Sequence, residues 1–125
     1  MADLIEALAA HPSCEVIREA ALSEFLTRHP RALLFFTGDL RQRPEGLDVA
    51  VVVRELLEKF SPALRLGLID RRDEQALMVR FEVVVLPAVV FVADGQKSGV
   101  IARMRDWPVY VQACERLLAP GAAAH

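Results

Sequence analysis

Val84-Val85-Leu86-Pro87-Ala88-Val89-Val90-Phe91-Val92-Ala93-Asp94-Gly95 is the stretch on which the fold turns. From Val83 to Val92 the chain is apolar, with one break at Pro87. Proline has no N–H to give a neighbouring strand, so a strand begins at or just after Pro87. Asp94-Gly95 is a turn signal, and Gly99-Val100-Ile101-Ala102-Arg103-Met104 is expected to return antiparallel to Ala88–Val92 as a hairpin. Beyond it, Asp106 is placed to cap a last helix with Pro108 in its first turn. That helix carries Tyr110, Ala113, Cys114, Leu117 and Leu118 on its buried stripe.

Working back from this stretch, Asp73 can cap a helix bearing Ala76, Leu77 and Phe81, and Leu64, Leu66 and Leu68 alternate as a strand ending at Ile69-Asp70. Val49, Val52, Val53, Leu56, Leu57 and Phe60 fall at i, i+3, i+4, i+7, i+8 and i+11. That spacing is the stripe of an amphipathic helix, and it overrides the β propensity of the valines. Asp48 or Glu45 can serve its start, and Pro62 follows its end. Ala32-Leu33-Leu34-Phe35-Phe36 is a continuous apolar run between Pro30 and Gly38, the pattern of a strand buried on both faces. Between that run and the helix, Thr37 to Leu47 is polar, with two glycines and one proline, and reads as a loop. Ala21, Leu22, Phe25 and Leu26 mark one face of an earlier helix; Glu15-Val16-Ile17 is a short strand. Leu4, Ile5 and Leu8 form a leading amphipathic helix ended by Pro12. The order, β-α-β-α-β-β-α after a leading helix, implies parallel right-handed crossovers and an antiparallel edge, in an α/β sheet with helices on both faces.

At 125 residues the chain suits one domain, 1–119, with Pro120–His125 as a frayed tail. A hydrophobic fraction of 54% excludes a disordered chain, and the net charge of −2 argues against a nucleic-acid partner. Lys59 and Lys97 are the only lysines among 15 cations, and the arginines are scattered like a solvated surface. No apolar run is long enough to span a membrane, and Met-Ala-Asp-Leu-Ile-Glu is no signal peptide, so a cytoplasmic location is expected. Cys14 and Cys114 stand 100 residues apart without a Cys-x-x-Cys, and His11, His29 and His125 share no ligand spacing. Neither metal nor cofactor is expected, and the histidines read as solvated loop residues.

The strand order, with Leu86-Pro87 opening the penultimate strand, resembles the thioredoxin fold over residues 13–118, with a mixed sheet of four or five strands. The resemblance implies that Leu86-Pro87 is cis and that an active-site loop corresponds to Thr37–Leu47. There the family's Trp-Cys-x-x-Cys is replaced by Thr-Gly-Asp-Leu-Arg-Gln-Arg-Pro-Glu-Gly-Leu, which has no nucleophilic cysteine. Ala32–Phe36 also lacks the buried carboxylate that would accept the proton. No residue is therefore assigned a catalytic role.

A narrower match rests on Gly38-Asp-Leu-Arg-Gln-Arg-Pro-Glu45, on Leu68-Ile-Asp70 before a helix, and on Arg80-Phe-Glu-Val with Leu86-Pro-Ala88. It continues through Gly99-Val-Ile and Arg105-Asp-Trp-Pro108. These resemble the thioredoxin-like hydrogenase expression/formation proteins of the HupG/HyaE type. The resemblance implies a cytosolic maturation chaperone for a nickel–iron uptake hydrogenase. Such a chaperone would hold the small-subunit precursor, with its twin-arginine signal peptide, before export, alone or with other maturation factors. In this fold the residues around the cis-proline accept extended peptide through main-chain hydrogen bonds. The candidate partner-binding residues are accordingly Asp39, Glu45, Leu86, Pro87 and Ala88. The two acids suit a guanidinium pair, whereas Arg41 and Arg43 in the same loop oppose one.

Each of these residues also has a plainer reading. Pro87 can be structural alone, Asp39 and Glu45 surface charges, and Trp107 a packing residue. Asp70 can simply end a strand, and Arg71-Arg72-Asp73-Glu74 can be a solvated helix start. Two other functions compete with the chaperone. One is a redox protein using Cys14 or Cys114 alone. The other is a self-associating subunit, a homodimer pairing through Phe35/Phe36 or the edge at Val100–Met104.

Overall fold

The computed structural model describes residues 2–120; the expected frayed tail, from residue 121 onward, lies outside the described residues. The elements are α1 (Ala2–Ala9), β1 (Cys14–Ile17), α2 (Leu22–Arg28), β2 (Arg31–Phe36), α3 (Glu45–Lys59), β3 (Leu66–Ile69), α4 (Glu74–Arg80), β4 (Ala88–Ala93), β5 (Gln96–Ala102) and α5 (Trp107–Leu118). This is one β-α unit more than the order written from the sequence. Short 3-10 turns, Glu19–Ala21 and Arg71–Asp73, lead into α2 and α4.

The sheet order is β1-β3-β2-β4-β5. β3 runs parallel to both β1 and β2, while β4 is antiparallel to β2 and to β5. Asp94 and Gly95 both have positive φ (52° and 80°), the mirror-image turn whose twist suits a two-residue hairpin. Past it the β4–β5 register slips at Phe91/Val92, where the Ser98 hydroxyl donates to the Phe91 carbonyl at 3.1 Å.

Period-two alternation divides the core. Leu33, Phe35, Val89 and Phe91 point to one face, under α1, α3 and α5. Ala32, Leu34, Phe36, Val90 and Val92 point to the other, under α2 and α4. β3 is buried along its whole length rather than on alternate residues, because helices cover both its faces. Gly67 makes this possible: a Cβ there would lie 2.8 Å from Leu34 Cδ2 and 3.2 Å from Phe25 Cε2. Phe35 and Phe36 are fully buried, so the expected self-association through an exposed Phe35/Phe36 face is corrected. Each side chain of this size stabilises the fold by roughly 1.5–3 kcal/mol. Ala21, placed on the buried face of α2 by its spacing, is exposed in the turn that precedes the helix.

Candidate functional site

The site begins where β2 ends. Phe36 is the last residue paired with β4, opposite Ala88, and Thr37 and Gly38 are still buried as the chain leaves the sheet. Gly38 has a φ of 75°, and a Cβ on it would stand 3.3 Å from Leu86 Cβ. The loop backbone therefore lies directly against the residue before Pro87. The Leu86-Pro87 peptide bond is cis, as is Ser61-Pro62 at the far side of the fold. No hydrogen bond to the Leu86 backbone is found among the described residues.

A carboxylate beneath the loop fixes it. Glu74, only 2% exposed, accepts the Gly38 N–H at 3.0 Å and is ion-paired with the half-exposed Arg71. The reading of Arg71–Glu74 as a solvated helix start fails at Glu74, whose side chain turns inward to satisfy a buried backbone donor. Arg72 does fit that reading, exposed and paired with Asp70. Asp70 in turn accepts the Arg72 N–H, capping the 3-10 turn, and the Arg72 guanidinium holds its carboxyl well below the usual carboxylate range. Asp73 makes no cap hydrogen bond to α4. It accepts instead from the Arg18 guanidinium and the Glu19 N–H, tying the α2 entry to the α4 entry.

On the other side of the loop, α3 starts at Glu45 without a side-chain cap. Glu45 reaches across to the turn that follows β5: Oε1 accepts from Arg103 Nε at 2.8 Å and Oε2 from the Met104 N–H at 2.6 Å. The Arg103 guanidinium, and then the Met104 N–H, hold the Glu45 carboxyl below its ordinary value. Arg103 has a φ of 66°, a left-handed conformation that costs a residue with a Cβ about 1 kcal/mol. Three bonds hold it there: the Glu45 pair, its N–H to the Pro87 carbonyl at 2.7 Å, and its own carbonyl accepting the Tyr110 hydroxyl at 3.2 Å.

Of the five residues read as partner-binding, the structure gathers Leu86, Pro87 and Ala88 at one point, with Asp39 and Glu45 on the adjoining loop and helix start. Leu86 is half-buried, whereas Pro87 and Ala88 are buried. Asp39 closes its own turn, Oδ1 accepting the Arg41 N–H at 2.9 Å and its carbonyl accepting from Gln42 and Arg43. Val85 and Met104 expose apolar surface beside this ledge. Trp107 is 41% exposed at the start of α5 and is not the packing residue its type suggests. Glu74 and Arg103 were not read as site residues, and Tyr110 was read correctly as buried but not as a partner of the Arg103 carbonyl. A lone acid at a helix start gives no sign that it points inward, and the other two act through tertiary contacts.

The sulfurs lie elsewhere. Cys14 and Cys114 are both buried, and burial pushes each thiol up to about 12, which suppresses the nucleophilic thiolate at neutral pH. His11 is not a solvated loop residue: its ring accepts the Ser13 N–H and pairs with Glu58 at 2.8 Å.

The family pattern described as Hydrogenase-1 expression protein HyaE matches residues 4–110. The chain belongs to the HyaE family. Its relatives include the hydrogenase expression/formation protein HupG of Rhizobium leguminosarum bv. viciae, 40% identical over 94% of this chain and 81% of that one. HoxO of Cupriavidus necator is 36% identical over 93% of this chain and 73% of its own length. This HyaE-family chain also superposes on a crystal structure named as a hydrogenase expression/formation protein hupG from Rhodopseudomonas palustris. That match has a TM-score of 0.59, 33% identity, and covers 86% of this chain and 95% of that one. A thioredoxin from Halobacterium salinarum matches with a TM-score of 0.70 at 22% identity, over 84% and 91% of the two chains, which establishes the thioredoxin-like fold. The HyaE-family role, hydrogenase expression and formation, therefore sits on a thioredoxin scaffold whose loop carries no sulfur.

Proposed function

We propose that the protein is a non-catalytic chaperone of nickel–iron uptake hydrogenase maturation. It acts in the cytoplasm, where it holds the hydrogenase small-subunit precursor with its twin-arginine signal peptide until export. The observation that carries this reading is the cis Leu86-Pro87 bond packed against Gly38, with both cysteines buried. The hydrogenase name of the relatives supplies the class of partner. Among the described residues no helix is long and apolar enough to cross a membrane, and no three potential ligands stand together as a metal site.

Co-purification of the tagged protein with the small-subunit precursor, with and without its signal peptide, tests the reading. Retention of the precursor and loss or weakening of binding without the signal peptide are expected. Failure to retain either form removes the proposal. A single-cysteine redox function would need an ionised thiol at neutral pH, and the burial of both sulfurs disfavours one.

A further inference from the structure

We infer that the ledge docks an extended apolar segment flanked by carboxylates, and that the guanidinium pair of a twin-arginine peptide stays off it. This rests on the docking role proposed above and specifies which part of the partner the ledge touches.

The argument comes from how the charges around the ledge are used. The two acids that would receive guanidiniums are already engaged. Both Glu45 oxygens hold the Arg103–Met104 corner, and one Asp39 oxygen closes the loop's own turn. The cations of the same loop are not engaged. Arg41 and Arg43 are exposed, and neither guanidinium has a hydrogen-bond or ion-pair partner among the described residues. Arg43 also lies over the ledge itself, its Cδ only 3.9 Å from where a Gly38 Cβ would be, on the side that Leu86 flanks. At the far corner Arg105 and Asp106 are both exposed, and Arg105 Nε donates to the Ala102 carbonyl. The loop from Thr37 to Pro44 therefore carries two unpaired guanidiniums against one half-used carboxylate. Leu86 lies against this loop at Gly38, and its neighbour Val85 and Met104 expose apolar surface.

The Leu86 backbone has no partner, so an extended segment can add its main-chain groups there while its side chains cover the apolar strip. Carboxylates at the segment's flank then meet Arg41 and Arg43 as charge-assisted partners, and arginines in that place meet like charge.

The test uses short peptides that share one Val-Ala-Thr core and differ only in flanks of Glu-Glu, Gln-Gln or Arg-Arg. Binding to the full chain is followed by NMR shifts at the Gly38 and Leu86 amides. We expect the acidic peptide to bind on the order of fivefold tighter than the neutral one, two exposed ion pairs being worth that much, with the arginine peptide weakest. The order should compress in 1 M salt, where screening acts within about 3 Å. It should reverse in the Arg41→Glu/Arg43→Glu variant, whose fold is verified by its unchanged amide spectrum elsewhere. Tightest binding by the arginine peptide, or no dependence on the flanks, overturns the inference. If the precursor is retained but no peptide shifts these amides, the ledge inference falls and the chaperone reading stands. If the precursor is not retained, the chaperone reading itself falls.

Discussion

Two regions that thiol chemistry would have to unite are separate in this protein. The loop from Thr37 to Pro44 has the position such chemistry requires, at the opening of α3 and against a cis-proline, and it has no sulfur. Cys14 and Cys114 have the sulfur, and they sit in the apolar core where a thiolate is strongly disfavoured. The loop keeps its shape through groups that have nothing to do with sulfur: a buried carboxylate below it, a glycine against Leu86, and the Glu45 bridge to Arg103. The contrast teaches that the loop geometry of this scaffold and its redox chemistry are physically separable.

The largest expected effect concerns the sulfurs. With both thiols pushed up to about 12, alkylation of the native protein at pH 8 should be slower than in denaturant by roughly a thousandfold or more, since only the thiolate reacts. A cysteine labelled in the native state at the rate of a free thiol would erase the contrast.

Next comes the loop's own packing. A Cβ at Gly46 would stand 2.8 Å from the Thr37 carbonyl oxygen and 2.7 Å from Leu40 Cδ2. Leu40 can move, but the Thr37 backbone is fixed by the end of β2. The overpacking in Gly46→Ala is therefore expected to cost about 1–3 kcal/mol. Set against the ~1 kcal/mol that alanine gains in helix propensity, the net loss is up to about 2 kcal/mol. Chemical denaturation measures it, and a variant as stable as the parent would mean that the loop is not held as described.

Glu74 sharpens the same point. Glu74→Ala leaves the Gly38 N–H buried without an acceptor and is expected to cost about 1–3 kcal/mol. Glu74→Gln keeps an acceptor and should cost less, and the Gly38 amide shift should follow that order. Equal losses in the two variants would point to the Arg71 charge rather than the loop bond.

The smallest effect is at Glu45. Its carboxyl is held below the ordinary 4.5, by Arg103 first and the Met104 N–H second, so its contribution is complete above that value. The contribution fades as pH falls through the lower folded value. The Met104 amide shift should titrate with a midpoint below 4.5, moving upward in Arg103→Ala. A midpoint at 4.5 in the parent protein would show the bridge to be absent in solution.

Much of this architecture can be read from local pattern. The stripe from Val49 to Phe60, the run Ala32–Phe36 and the Asp94-Gly95 turn each state their structure through spacing alone, and each is where it was expected. The replacement of Trp-Cys-x-x-Cys was equally plain, because the absence of a residue type needs no coordinates. Local pattern failed where one side chain had to choose between solvent and a distant partner. Glu74 looks like any acid in a first helical turn, and Glu45 like a helix-start charge. Asp73 was read as a cap, yet it bonds to Arg18 and Glu19, which arrive from the start of α2. Trp107 erred the other way, an aromatic left exposed because α5 buries Tyr110, Cys114 and Leu117 instead.

By itself, the order of residues determined the individual strands and helices and the absence of a Cys-x-x-Cys, because periodicity and residue chemistry are local properties. Tertiary structure alone decided which carboxylates are already committed, which arginines stand free, and that the Leu86 backbone lies open against Gly38. Those outcomes depend on groups distant in the chain meeting within hydrogen-bond reach, and no local pattern records such a meeting.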